Sequence, residues 1–459
     1  MIEPEAVRYA RSLLRGLGWG GLDPSPPRDS PVGAWARSGA LWLTGLPGHV
    51  PVMPTAPLAS CADGALAALE TLAPGSALAG VDGAALLGER AAIFSLSRCG
   101  RISPGGSCRL MRCQDGWLAV NIPRSTEFWS LVPAWLEDPE AAQSWSALAR
   151  SLSRQPGGNA VARAHLLGLA VAPVAPTQRP PPGWLQAQVS DVRAPPLGPP
   201  LVADLSSLWA GPLCGQLLAA TGARVIKVES TRRPDGTRRG PRAFFDLLNA
   251  GKQNLALNFS DPQDRATLLA FLERVDVVLE SARPRALLQL GLHAERWVAE
   301  REGRIWLSIT GYGRSEPEAL WTAFGDDAAA AAGLPFCVPA GQGPLFVGDA
   351  IADPLAGIHA ALAVRSHWVR GQGGLLGVAL RDVVAHGIGF RRPTQRASGT
   401  SSRVRRVGGR WRVGDYVIRP PRARRPTKPA RTLGADNAEL LRDPGPENRN
   451  LPDESRQET

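Results

Sequence analysis

The sequence predicts an α/β protein in which a Rossmann-like, doubly wound parallel sheet follows a smaller α+β domain. Three features carry this reading. Downstream of residue 200, short apolar runs alternate with helical stretches, the signature of a sheet built from βαβ units. Upstream, Asp115-Gly116 separates two strand-like runs, CRLMRC and GWLAVNI, as in a hairpin. Between the two regions, residues 173–200 hold nine prolines, too many for a helix or a central strand. A chain of 459 residues is two to three times the usual domain size. The expected organisation is a small α+β domain over 1–172, a Pro-rich linker over 173–200, an α/β domain over 201–388 and a basic, partly disordered segment over 389–459.

In the first region the apolar spacing predicts helices over 6–17, 64–72 and 84–94, then the hairpin, then helices over 125–136, 141–152 and 159–167. Beyond the prolines, LVADLS, ARVIKVE, NLALNF, DVVLES and RIWLSIT read as strands, with helices over 212–221 and 262–274 and around Ala286 and Ala294 between them. An Ala-rich helix over 326–333, a longer one from about 349 to 369, the strand GLLGVAL and a short helix to 386 complete this domain.

Lys and Arg exceed Asp and Glu by 52 to 41, but the excess is local. Thirteen basic residues against Asp415 alone fall between 389 and 428, so the rest of the chain is close to neutral. This segment reads as a solvated arm, and nucleic acid is not an expected partner. Cys61, Cys99, Cys108, Cys113, Cys214 and Cys337 show no C-x-x-C spacing, and the six histidines are scattered, so neither a metal site nor a disulfide framework is expected. No window reaches 18 apolar residues and the N-terminus lacks a secretory apolar core; the expectation is a cytoplasmic protein without a membrane span.

Familiar motifs are missing where they would matter. The turn after the first strand of the α/β region reads Ser206-Ser207-Leu208-Trp209-Ala210-Gly211-Pro212 rather than G-x-G-x-x-G, which disfavours a dinucleotide dehydrogenase. Gly251-Lys252 lacks the rest of a P-loop, and neither G-x-S-x-G nor H-E-x-x-H occurs.

The order Ala203-Asp204-Leu205-Ser206, Ala210-Gly211-Pro212, Gly222-Ala223-Arg224-Val225-Ile226-Lys227-Val228-Glu229, Asn249-Ala250-Gly251-Lys252, Ser308-Ile309-Thr310-Gly311-Tyr312-Gly313 and Asp353-Pro354-Leu355-Ala356-Gly357 resembles the class III CoA-transferase family, which includes formyl-CoA and carnitine CoA-transferases and α-methylacyl-CoA racemases. The resemblance implies CoA transfer between an acyl-CoA and a carboxylic acid through an aspartyl-acyl anhydride. CoA thioesters would be substrates, with no permanently bound cofactor. The family's nucleophilic Asp, four residues before a Gly at a helix start, corresponds to Asp353; a carboxylate there is expected to stay ionised. Asp349 is the competing carboxylate. Trp209, Ala210, Arg232, Arg233, Lys252 and Arg283 are the implied CoA contacts, and Gly105 and Gly106 the implied mobile glycine loop serving an oxyanion.

Two departures stand out. Where the racemases carry His after the Gly matching Gly325, this chain has Asp326, which counts against an acyl-CoA racemase or isomerase; that reading and a CoA-binding protein without transferase activity are the alternatives to the transferase. In the family the small domain follows the Asp helix and two chains interlock; here its resemblance, from Gly100 through Gly116, comes first, as in a permuted chain or one descended from a duplicated copy that lost its first sheet. A homodimer is expected, with Gly105 and Gly106 approaching an Asp353 of the same or the other subunit.

Overall fold

The computed structural model describes residues 3–123, 126–176, 183–192, 196, 198–282, 284–390 and 403–442. A three-stranded antiparallel sheet comprises β1 (Cys108–Arg112), β2 (Trp117–Asn121) and β3 (Ala170–Val174). The Asp115-Gly116 hairpin forms in the expected place, pairing Cys108 with Asn121 and Arg112 with Trp117.

The central sheet contains β4 (Gln186–Val192), β5 (Leu201–Asp204), β6 (Arg224–Ser230), β7 (Gln253–Leu257), β8 (Val277–Glu280), β9 (Ile305–Thr310) and β10 (Gln372–Ala379), in the spatial order β4-β10-β9-β8-β5-β6-β7. All neighbours are parallel except β4, which pairs antiparallel with β10 at one edge. The chain runs outward from β5 through β6 and β7, then returns to the other side of β5 as β8. A crevice at the carboxyl ends of β5 and β8 is the usual ligand position in such a sheet.

Alternation along the strands explains why both faces are covered. Val202, Val225, Val277, Leu279, Ile305 and Leu307 point into one apolar core, and Leu201, Ala203, Ile226, Val228, Val278 and Trp306 into the other. Helix Pro262–Leu272 lies in the second core; Asp261 caps it by accepting from the N–H groups of Gln263 and Asp264, and Pro262 fits its first position.

The first core does not respect the expected boundary at 173. Tyr9, Leu13 and Leu14 of helix Glu5–Gly16 and Leu58, Cys61, Ala62 and Ala65 of helix Leu58–Thr71 are buried in it with Leu213, Leu217 and Ile358. The N-terminal helices therefore roof the parallel sheet, and the separate small core consists of residues between Met111 and Val171. The Pro-rich stretch is more than a tether, since it contributes edge strand β4. The basic segment also folds in part: β11 (Val404–Val407), β12 (Arg410–Val413) and β13 (Tyr416–Val417) form a second small antiparallel sheet, and Val413, Ile418 and Leu440 are buried. Residues 391–402 and 443–459 of this segment, expected to be partly disordered, lie outside the described residues. Among the described residues no helix is long and apolar enough to cross a membrane.

Beneath the β5–helix turn lies an ionic network. Lys252 Nζ donates to Asp204 Oδ2 at 2.8 Å, to the Pro212 carbonyl at 2.8 Å and to Asn249 Oδ1 at 3.1 Å, and Lys227 Nζ sits 3.1 Å from Asp235 Oδ2 while also donating to the Ser206 carbonyl. Burial works against the charge on Asp204, but Lys227 and Lys252 hold it down to about 2. Removing one member leaves its partner buried and uncompensated. Asp204→Ala is expected to lower stability by about 3–5 kcal/mol, read as a fall in the urea midpoint; a loss below about 1 kcal/mol would show that the network is dispensable.

Candidate active site

Helix Ala352–Val369 crosses helix Ala210–Ala220, which leaves the carboxyl end of β5. Gly357 makes the crossing possible: a Cβ there would lie 2.7 Å from the Ala210 carbonyl and 3.2 Å from Leu213 Cβ. One turn earlier, Asp353 occupies the first turn of the same helix, its N–H donating to the Ala350 carbonyl at 3.0 Å. Its carboxylate lies over Gly325, where a Cβ would come within 2.1 Å of Asp353 Oδ2. Gly325 thus leaves the room in which the carboxylate sits.

Three more carboxylates converge on this point. Asp349 is fully buried and receives Arg90 Nη1 on both oxygens, at 2.7 and 2.8 Å. Asp326 accepts from the Ala350 N–H at 2.8 Å. Asp327 accepts from Asn121 Nδ2 at 2.6 Å and from the Phe324 N–H at 3.1 Å. Ser103 favours the charged form of Asp326, and the Gly105 N–H that of Asp349. Asp353 differs from all three: it is partly exposed, and its side chain makes no hydrogen bond or ion pair among the described residues. Of the two carboxylates the sequence leaves in competition, Asp349 is therefore sealed and Asp353 open.

The expectation that a helix start keeps Asp353 ionised is corrected by its surroundings. Burial is the largest influence and raises it; Arg90 lowers it, but Asp326, Asp327 and Asp349 raise it further, to about 7. Asp327 is likewise pushed up to about 7, chiefly by burial, and Asp326 and Asp349 move upward for the same reason.

The expected glycine loop reaches this cluster within its own chain. A Cβ on Gly105 would stand 3.0 Å from Arg90 Nη2, so the loop packs against the guanidinium that holds Asp349; Gly106 closes the turn by donating to the Ser103 carbonyl at 2.8 Å.

The expected CoA contacts divide. Trp209 and Ala210 are buried at the start of helix Ala210–Ala220, beside the switch in strand order, and Trp209 Nε1 has no partner among the described residues. Arg232 and Arg233 are exposed just beyond the carboxyl end of β6, their N–H groups donating to Ser230 Oγ at 3.3 and 3.4 Å. Lys252 is not available to a phosphate: it is buried and donates to three protein oxygens. Arg283 lies outside the described residues.

Arg90, Asn121 and Asp327 were not singled out in the sequence. Arg90 lies 259 residues from the carboxylate it binds, in a run with no motif of its own, so only the packing of the first region onto the sheet reveals it.

The raised carboxylates have a consequence for stability. A folded-state value above the ordinary one means that the native protein binds a proton the unfolded chain has released, so stability is highest below about pH 4 in this contribution and falls as pH rises through about 7. Asp353→Asn removes the ionisation. The variant is expected to melt above the unsubstituted protein at pH 8, with a smaller gain at pH 5; an equal or opposite difference in calorimetry would contradict the charge crowding.

Residues 200–414 match the family described as CoA-transferase family III. A stretch of 210 residues is 30% identical to the succinyl-CoA–D-citramalate CoA-transferase of Chloroflexus aurantiacus, covering 43% of this chain and 52% of that protein. The succinate–glutarate CoA-transferase of Agrobacterium fabrum is 32% identical over 210 residues, 42% of this chain and 52% of that protein. The crystal structure of a CaiB/BaiF family protein from Brucella suis is 28% identical, with a TM-score of 0.37 over 42% of this chain and 55% of its own. The chain spans about half the length of the curated relatives it matches. The matching segment 200–414 carries the parallel sheet, Gly325 and Asp353.

Proposed function

We propose that the protein transfers coenzyme A between an acyl-CoA and a carboxylic acid, with Asp353 as the covalent nucleophile. The observation that carries this reading is the contrast within the cluster: Asp349 is locked by Arg90, Asp326 and Asp327 accept from backbone or side-chain donors, and Asp353 alone is unengaged and partly exposed. The match of residues 200–414 to CoA-transferase family III supports it.

Chemically, the Asp353 carboxylate adds to the thioester carbonyl, the C–S bond breaks, and CoA leaves as thiolate while the acyl group stays on Asp353 as a mixed anhydride. An anhydride retains the activation of the thioester: the thiolate attacks its aspartyl carbonyl, expelling the first acid as its carboxylate and leaving an aspartyl-CoA thioester. The acceptor carboxylate attacks that thioester to form a second anhydride and thiolate, and thiolate attack on the new acyl carbonyl yields the new acyl-CoA and frees Asp353, with no other energy source. Hydrolysis is the competing reaction. The apolar packing around helix Ala352–Val369 limits access of water to the carboxylate. The Gly105 and Gly106 loop lies against Arg90 and would give backbone donors to the developing oxyanion only on releasing Asp349 and the Ser103 carbonyl, which its N–H groups engage, and Trp209, Ala210, Arg232 and Arg233 border the crevice where the nucleotide end of CoA would rest.

Asp353→Ala is expected to lower kcat at least a thousandfold and leave CoA binding within about threefold, because the carboxylate makes and breaks a bond but contributes little to nucleotide affinity. Hydroxylamine added during turnover with an acyl-CoA should convert Asp353 to its hydroxamate, detected by peptide mass spectrometry. Retained turnover in Asp353→Ala, or a hydroxamate on Asp349, would refute the assignment.

The nucleophile must be ionised, so turnover should rise with pH and level off above a midpoint near 7, set by burial and by Asp326, Asp327 and Asp349. A rate already flat at pH 5 would contradict this. Gly325→Ala should depress kcat by at least tenfold, since its methyl group occupies the space of Asp353 Oδ2.

A further inference from the structure

The chain contains two copies of one structural unit. In the second, helix Gly325–Ala331 is followed by a 3₁₀ turn Leu334–Phe336, the long helix Ala352–Val369, strand β10 of the parallel sheet, which has no counterpart in the first, helix Leu380–Gly389 and the β11–β12 hairpin. In the first, helix Pro31–Arg37 is followed by a 3₁₀ turn Leu41–Leu43, the long helix Leu58–Thr71, helices Gly83–Leu86 and Glu89–Ile93, and the β1–β2 hairpin. Residues keep step as well. Pro57-Leu58-Ala59 opens the first long helix as Pro354-Leu355-Ala356 opens the second, Phe94 matches Phe390, and Trp117 of β2 matches Trp411 of β12.

The copies exchange partners. Helix Gly325–Ala331 of the second copy packs on β2 and β3 of the first, where Asn121 donates to Asp327. Helix Pro31–Arg37 of the first copy packs on β12 and β13 of the second; Tyr416 lies over Gly33 and within 3.5 Å of Ser30 Oγ. The two long helices lie against each other in one core. This reciprocity is that of a two-fold dimer written into a single chain.

The copies are not equivalent at the position that matters. Where the second has Asp353 before its Pro-Leu-Ala, the first has Ala56, which is buried and whose carbonyl accepts from Trp35 Nε1 at 2.8 Å. The second copy also has four more residues between Pro344 and Pro354 than the first has between Pro51 and Pro57, and Asp349 lies in that added stretch. Its partner Arg90 comes from the first copy.

We infer that the chain is an internal duplication with one working site, in which the first copy has given up the nucleophile and instead supplies Arg90 and the Gly105 loop to Asp353 of the second. The working site rests on the function proposed above; the exchanged packing does not. Arg90 acts as a positioning residue: it fixes Asp349, and its charge also favours the ionised forms of Asp326 and Asp353.

Two measurements test this. Ser30→Cys with Tyr416→Cys, bridged by a short bis-maleimide, reads the exchange without any catalysis: a product of one chain's mass is expected, and a product of twice that mass overturns the inference. Co-expressed, differently tagged Asp353→Ala and Arg90→Ala chains read the site. Completion within one chain predicts no more acyl transfer than the sum of the separate variants. Completion between chains would return about a quarter of the unsubstituted activity, because half of the dimers carry one intact site, and that result overturns the inference. Arg90→Gln should also move the acid limb of the rate profile to higher pH, while Arg90→Lys leaves it nearer its original place; equal rate losses with unmoved limbs would reduce Arg90 to a purely structural role and overturn the assignment. An unsubstituted chain that takes no acyl group from any acyl-CoA counts against the proposed function, and the cross-link still decides the exchange.

Discussion

One guanidinium makes the candidate site physically possible. Four carboxylates share a region from which water is largely excluded, and at short range in a poor dielectric they repel one another strongly enough to force protonation or collapse. Arg90 neutralises the fully buried Asp349, with contacts to both oxygens at 2.7 and 2.8 Å. Without that pair, Asp349 would be an uncompensated charge beneath the helix that presents Asp353, a situation that ordinarily costs several kcal/mol. Asp326 and Asp327 are held by hydrogen bonds, which leaves Asp353 both crowded and free.

Crowding and freedom have opposite effects on a nucleophile. Burial and like charges push Asp353 up to about 7, which reduces the ionised fraction near neutrality. The same surroundings make the ionised form more basic and less solvated, and both changes favour attack on a carbonyl. A surface aspartate would be fully ionised and a poor nucleophile; one as sealed as Asp349 would be unreachable. Geometry sets the intermediate condition through absent atoms. Gly325 leaves space for the carboxylate, and Gly357 lets two helices approach closely enough to bring Asp353 beside the β5 crevice.

The sequence disclosed local features well and distant ones poorly. The strands of the parallel sheet, the Asp115-Gly116 hairpin and the Asp353 helix all follow from short-range pattern, because each depends on residues within a few positions. Lys252 shows the limit. The family resemblance implies Lys252 as a phosphate ligand, yet Asp204, 48 residues earlier, captures it at 2.8 Å. The helices of the first region have apolar faces that fit either a small independent domain or the roof of a larger one. Only the depth of the common core shows that they cover the parallel sheet. For Arg90 no short-range pattern exists, since its meaning depends on a carboxylate 259 residues away.

Placing Arg90 and Asp353 on one chain changes the physics of assembly. When two subunits each complete the other's site, the population of working sites depends on concentration, and the cost of association must be met before any chemistry. When the completing unit is covalently joined, its local concentration is fixed by the connection and dilution cannot remove it. The joined copies are also free to diverge. Ala56 can stand where Asp353 has its counterpart, and the first copy can do without a parallel sheet, because neither loss touches the one site that Asp353 serves. In a dimer of identical chains any such change would appear in both halves. The asymmetry between Ala56 and Asp353 is therefore a state that a dimer of identical chains cannot reach, and the buried Arg90–Asp349 bond between the two copies is the contact that keeps the surviving site dependent on both.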